Sequence, residues 1–198
     1  AVLRGRMNES GRTVSVALAP KTSDDQPGLL YEGKDYAGLG AAADSVLLMT
    51  YEWGHAYSPP MAVAPVDQVR RVVEYAVSRI DPAKINLGIP NYGYDWTLPF
   101  TEGAPRARTI GNIEAVQQAV EKGAEIYFDE TAQAPYYFYV EDGVTHEVWF
   151  EDVRSISSKF ALIEEFGLLG AGYWQLMRLF RANWILAAET FHIEGSSM

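Results

Sequence analysis

The sequence predicts an α/β fold in which a parallel sheet is covered by helices. Three observations predict it: four short, almost purely apolar runs, helical patterns placed between and after them, and one hairpin-bearing segment that interrupts the rhythm. Strands buried on both faces carry such unbroken apolar runs, whereas a sheet with one wet face alternates.

The elements follow in order. Val2, Leu3 and Met7 lie apolar among arginines, the pattern of a helix tail, and no initiator Met stands at position 1, so further chain is expected upstream. Thr13 to Ala19 (TVSVALA) is β-branched and apolar, follows Ser10-Gly11 and stops at Pro20, which predicts a buried strand. Lys21 to Gly40 is polar and glycine-bearing, a long loop with room for a short helix. Ser45 to Tyr51 (SVLLMTY) is a second strand, too short for a helix. After a loop from Trp53 to Pro65 comes the clearest helix. Val66, Val69, Val72, Val73, Ala76, Val77 and Ile80 recur at three- and four-residue spacing with charges between them. Pro65 suits its first turn, and Asp81-Pro82 stops it. Ile85 to Pro90 (INLGIP) is a third buried strand and Leu168 to Trp174 (LLGAGYW) a fourth. Helices are expected at Ser155 to Phe166, closed by Gly167, and at Asn183 to Phe191.

Between the third and fourth strands the pattern changes. Asn112 to Lys122 reads as an amphipathic helix with Ile113, Val116 and Val120 on its apolar face and Gly123 as its stop. Strands follow at Glu125–Phe128, Tyr136–Val140 and Val144–Phe150, the last two joined through Glu141-Asp142-Gly143, a hairpin signal. The organisation expected is a barrel-type body over 1–96 and 153–198, with a small α+β insertion over 97–152.

Composition excludes several functions. The chain has 198 residues, 48% hydrophobic and 21% charged, which suits a globular domain with a sizeable core. A net charge of -10, with no Lys/Arg cluster, disfavours nucleic acid and anionic membrane surfaces as partners. No apolar run approaches the roughly 18 residues of a membrane span, so membrane insertion is not expected. Cysteine is absent, which removes disulfides, thiol nucleophiles and thiolate metal sites. His55, His146 and His192 lie far apart without ligand spacing, so neither a metal nor another cofactor is expected. No Gly-x-Ser-x-Gly elbow is present.

Chemistry in a parallel α/β barrel sits at the C-terminal ends of its strands. The second strand ends Met49-Thr50-Tyr51-Glu52-Trp53-Gly54; alternation puts Leu47, Met49 and Tyr51 on one face, with Tyr51 at the rim. The third continues into Asn91-Tyr92-Gly93-Tyr94-Asp95-Trp96, and the fourth ends Gly172-Tyr173-Trp174-Gln175. Three strands thus deliver aromatic and polar groups to one end.

Met-Thr-Tyr-Glu-Trp-Gly is similar to the Met-x-Tyr-Asp motif on the sixth strand of family 18 glycoside hydrolases, the chitinase family. Gly-Ile-Pro-Asn-Tyr-Gly resembles that family's seventh-strand motif, and the strand ending at Trp174 its eighth. The resemblance implies a (β/α)8 barrel represented by its C-terminal half, strands five to eight, with the insertion after the seventh. The combination of Tyr-Glu-Trp-Gly with Tyr-Gly-Tyr-Asp-Trp looks closest to the spore-germination branch. It implies a retaining hydrolase of N-acetylglucosamine-containing glycan, peptidoglycan or chitin-like, in which the sugar's own acetamido oxygen attacks while a glutamic acid protonates the leaving oxygen. By resemblance, Tyr51 holds that acetamido oxygen, Glu52 orients the site and Trp174 stacks under the ring, with Met49, Trp53, Asn91, Tyr92, Tyr94, Asp95, Trp96 and Gln175 as further substrate-binding candidates.

Two departures stand out. Glu52 replaces the family's Asp, and Tyr94 stands where chitinases often have Arg. A third is the family's acid motif, Asp-x-x-Asp-x-Asp-x-Glu, which is missing and belongs to a strand before the first one present. Its loss removes about 10² to 10⁴ in rate, so the polypeptide alone is expected to be inactive. The alternative is a carbohydrate-binding or scaffold protein of the same fold. Partners expected are the glycan and either the missing half of the barrel or a second copy, in a bacterial spore or extracellular, cell-wall setting.

Overall fold

The computed structural model describes residues 1–103 and 105–193. The first elements in chain order are α1 (Val2–Asn8), β1 (Ser15–Leu18), α2 (Tyr36–Ala42), β2 (Ser45–Leu48), α3 (Val66–Val77), β3 (Ile85–Pro90) and β4 (Gly93–Thr97). Next come β5 (Arg108–Ile110), α4 (Asn112–Lys122), β6 (Tyr127–Asp129), β7 (Ala134–Glu141) and β8 (Val144–Trp149). The last are α5 (Val153–Phe166), β9 (Gly170–Trp174) and α6 (Arg181–Thr190). The chain divides into two units, one of Ala1–Tyr51, Asp67–Ile89 and Ala161–Trp174, the other of Glu52–Val66, Pro90–Phe160 and Gln175 onward.

The first unit holds a sheet in the order β1-β2-β3-β9, a partial barrel. β1 pairs β2 and β2 pairs β3 in parallel. The Leu169 N–H donates to the Ile85 carbonyl, so β9 begins beside the start of β3 and runs the same way. Along β2, Val46 and Leu48 are fully buried while Leu47 is half-buried, so one face of the strand meets the core. The helix read between 66 and 80 forms α3 and buries Val69, Val72, Val73 and Ala76 as its spacing predicts. Asp81 then caps a single 3₁₀ turn at Pro82–Lys84. The expectation that the first and fourth runs are buried strands is corrected: most of β1 and all of β9 are half or fully exposed. Both are sheet edges, paired on one side only among the described residues.

The second unit holds a five-stranded antiparallel sheet, β5-β4-β8-β7-β6. Its strand β4 starts at Gly93, inside the span that the sequence groups with the barrel. Gly93 is required there, because a Cβ would sit 2.1 Å from the Trp149 carbonyl oxygen of the paired strand. One face of this sheet makes a core of Ile110, Tyr137, Tyr139, Val148 and Phe150 with Ala115 and Ala119 of α4. The predicted face of that helix is corrected. Ile113, Val116 and Val120 are exposed, and the buried residues are Asn112, Ala115 and Ala119. Three large rings already fill the sheet face, so only a stripe of small residues lets α4 approach.

Candidate functional site

In the first unit the site residues sit where β2 and β9 end. Thr50 is completely buried and its hydroxyl donates to the Gly88 carbonyl of β3 at 2.9 Å. At Gly88 a Cβ would lie 2.2 Å from the Leu48 carbonyl oxygen and 3.0 Å from the Tyr51 ring. Only glycine therefore lets the two strands close and gives that ring its place. Met49 is half-buried and its N–H donates to the Leu18 carbonyl. Trp174 closes β9 with its side chain 59% exposed. Tyr51 and Trp174 thus occupy the same, C-terminal, end of one sheet.

In the second unit Glu52 opens a loop with a left-handed backbone, φ 69°. A side chain there costs about 1 kcal/mol or more. The loop is pinned by N–H bonds from Trp53 to the Val63 carbonyl and from Gly54 to the Ala62 carbonyl. The exposed Glu52 carboxylate accepts hydrogen bonds from the Tyr92 and Tyr94 hydroxyls, the latter at 2.9 Å. Those two buried rings meet edge to face, 5.7 Å apart. Burial pushes the Tyr94 phenol well above its ordinary value, with the Glu52 hydrogen bond and charge adding to it. It therefore stays a donor at neutral pH.

The other candidates are buried or half-buried, and most are tied into the framework. The Asn91 amide donates to the Gln175 and Arg178 carbonyls and accepts from Asn112, which fixes the segment 175–178. The Gln175 side chain accepts from the Met177 N–H. The Trp96 indole donates to the Ser58 carbonyl at 2.8 Å. Trp53 is half-buried. Asp95, one residue from Tyr94, turns to the opposite face of β4. Only 4% exposed, it accepts from Arg108, Gln118 and Tyr139 and pairs with His146 at 2.9 Å. A polar pocket of about 290 Å³ lies beside it, lined in part by Arg106, Arg108 and Glu141. Strand alternation could have separated Asp95 from Tyr94 and Trp96. Its partners, 13 to 51 residues away, left no local signal. Among the described residues no group of three or more His, Cys, Asp or Glu is placed to hold a metal ion.

A parallel barrel-type sheet and a separate antiparallel sheet define the class as α/β barrel with an insertion, and residues 3–178 match the model of Glycosyl hydrolases family 18. The chain belongs to that family. Its barrel strands are the C-terminal half of the family 18 fold. It is 46% identical over 191 residues to the cortical fragment-lytic enzyme of Bacillus subtilis (strain 168), covering 96% of this chain and 44% of that one. The crystal structure of the Bacillus cereus spore cortex-lytic enzyme SleL superposes with a TM-score of 0.93 at 45% identity, over 97% of this chain and 45% of that one. Rat di-N-acetylchitobiase is 32% identical, over 89% of this chain and 53% of its own. The chain spans less than half the length of the cortex-lytic relatives it matches.

Proposed function

We propose that this chain forms part of the substrate pocket of a retaining glycosidase acting on N-acetylglucosamine-containing glycan, with the general acid supplied from outside residues 1–198. The observation that carries it is the shared position of Tyr51 and Trp174 at the C-terminal ends of β2 and β9, two strands of one sheet on either side of β3, where such folds do their chemistry. Trp174 offers an exposed ring face to the apolar face of a sugar. Tyr51 hydrogen-bonds the acetamido oxygen and holds it for attack on its own anomeric carbon, an effect of orientation. Glu52, fixed by Tyr92 and Tyr94, keeps the orienting role that its motif implies. The names of the relatives support spore-cortex peptidoglycan as the glycan and the spore or cell wall as the setting. Further barrel strands, or a second copy, cover the open edges of β1 and β9.

Calorimetric titration with N-acetylglucosamine oligomers, run beside a hydrolysis assay, tests the proposal. The native chain is expected to bind without turnover, and Trp174→Ala or Tyr51→Phe to weaken binding about tenfold. Absence of binding contradicts the pocket, and turnover by the chain alone contradicts an external acid. The missing acid motif also favours a second function, carbohydrate binding without cleavage. A longer polypeptide that carries the acidic strand upstream of Ala1 and still fails to hydrolyse selects it.

A further inference from the structure

The stretch that follows Trp174 has little apolar burial to hold it. Leu176, Met177 and Leu179 are 60%, 89% and 79% exposed. What holds it is polar. The Asn91 amide donates to the carbonyls of Gln175 and Arg178, which brackets the stretch at both ends. Inside it the Gln175 side chain accepts the Met177 N–H, and the Arg178 guanidinium stands 3.7 Å from Glu114 of α4.

Asn91 is itself held. It is 2% exposed, and its side-chain oxygen accepts from the Asn112 amide. The Asn112 side-chain oxygen in turn accepts the Glu151 N–H at 3.0 Å. Glu151 is completely buried and pairs at 2.8 Å with the equally buried Lys159 of α5, while the Ser155 hydroxyl donates to the same carboxylate oxygen. Two asparagines thus carry an unbroken line of contacts from α5 to the stretch after β9.

The start of α4 makes no use of the Asn112 side chain. Asn ranks among the best N-cap residues, yet the N-cap is Gly111, without a side-chain bond to the helix, and Asn112 stands one place further on. Burial alone does not call for the two amides either, since apolar groups of the same shape can pack at nearly equal stability. Hydrogen bonds add direction, which apolar contacts lack. A fully satisfied buried network fixes one arrangement of the groups it joins, and here those groups include the carbonyls of Gln175 and Arg178.

We propose that Asn91 and Asn112 are positioning residues for glycan binding: through them the insertion sets Gln175–Arg178 and, one peptide bond earlier, the Trp174 ring. The proposal deepens the glycan function assigned above and rests on it. A ring that must be ordered on binding gives up affinity that a ring already in place keeps. Neither asparagine touches the sugar; both act through the backbone on which Trp174 hangs.

The test titrates the 198-residue chain with N-acetylglucosamine tetramer and follows the Trp174 indole N–H resonance. Asn91→Asp still accepts from Asn112 but loses both donations to the stretch. It is expected to lower affinity about tenfold and to broaden the indole resonance. Ala115→Leu overpacks the insertion core and leaves the two asparagines in place, so it separates positioning from general loosening. It is expected to lower the unfolding midpoint and keep native affinity. Native affinity or an unchanged indole resonance in Asn91→Asp overturns the relay, and so does an equal loss of affinity in Ala115→Leu. Should Asn91→Asp fail to fold, Asn112→Asp takes its place, keeping the Glu151 contact and losing only the donation to Asn91, and is judged by the same outcomes. Absence of binding by the native chain overturns the pocket instead. The relay then stands if the indole resonance still broadens in the variant and falls if it does not.

Discussion

At residue scale Glu52 is held in a left-handed turn by the hydroxyls of two buried tyrosines. In the sequence, Glu for the family's Asp and Tyr94 for its frequent Arg looked like separate departures. The structure joins them: the Glu52 carboxylate accepts a hydrogen bond from the Tyr94 hydroxyl. The motifs made Tyr51, Glu52 and Trp174 visible because each lies at a strand end. The partners of Asp95 were not visible, because they come from β5, α4, β7 and β8 and meet only in the folded sheet. A double-mutant cycle of Glu52→Gln and Tyr94→Phe, followed by denaturant unfolding, is expected to show coupling of about 0.5–3 kcal/mol. Additive effects would place the two groups out of contact.

At element scale the periodicity of residues 112–122 predicts a helix and the wrong face. Ile113, Val116 and Val120 form the more apolar stripe, yet the sheet presents Tyr137, Tyr139 and Phe150 and admits only Ala115 and Ala119. What a helix buries depends on the volume already facing it, which no window of its own sequence contains. Likewise the aromatic run after Pro90 carries no local mark of its turn into a second sheet; the mark is Gly93, set against a strand some 55 residues on. Ala115→Leu is expected to cost about 1–3 kcal/mol by overpacking. Val120→Ala, at a position 76% exposed, should stay within about 0.5 kcal/mol. Thermal or denaturant unfolding checks both, and the reverse ranking would restore the other face.

At the scale of the molecule, four barrel strands leave two open edges. β1 and β9 each pair on one side among the described residues, and Trp174, Leu169 and Leu176 are exposed. Unpaired strand edges beside apolar surface seek a partner strand. The isolated chain is expected to self-associate at micromolar concentration, measured by light scattering, and a monodisperse monomer across that range would contradict open edges. The parallel fold was legible because buried strands are written as apolar runs. The exposure of the outer two was not, since an apolar run does not say on how many sides its strand is paired.

The most direct measurement is a crystal structure of the chain with an N-acetylglucosamine oligomer. One sugar ring is expected to stack on Trp174, with its acetamido oxygen accepting a hydrogen bond from the Tyr51 hydroxyl. A sugar bound elsewhere, with Trp174 and Tyr51 untouched at saturating oligomer, would contradict it.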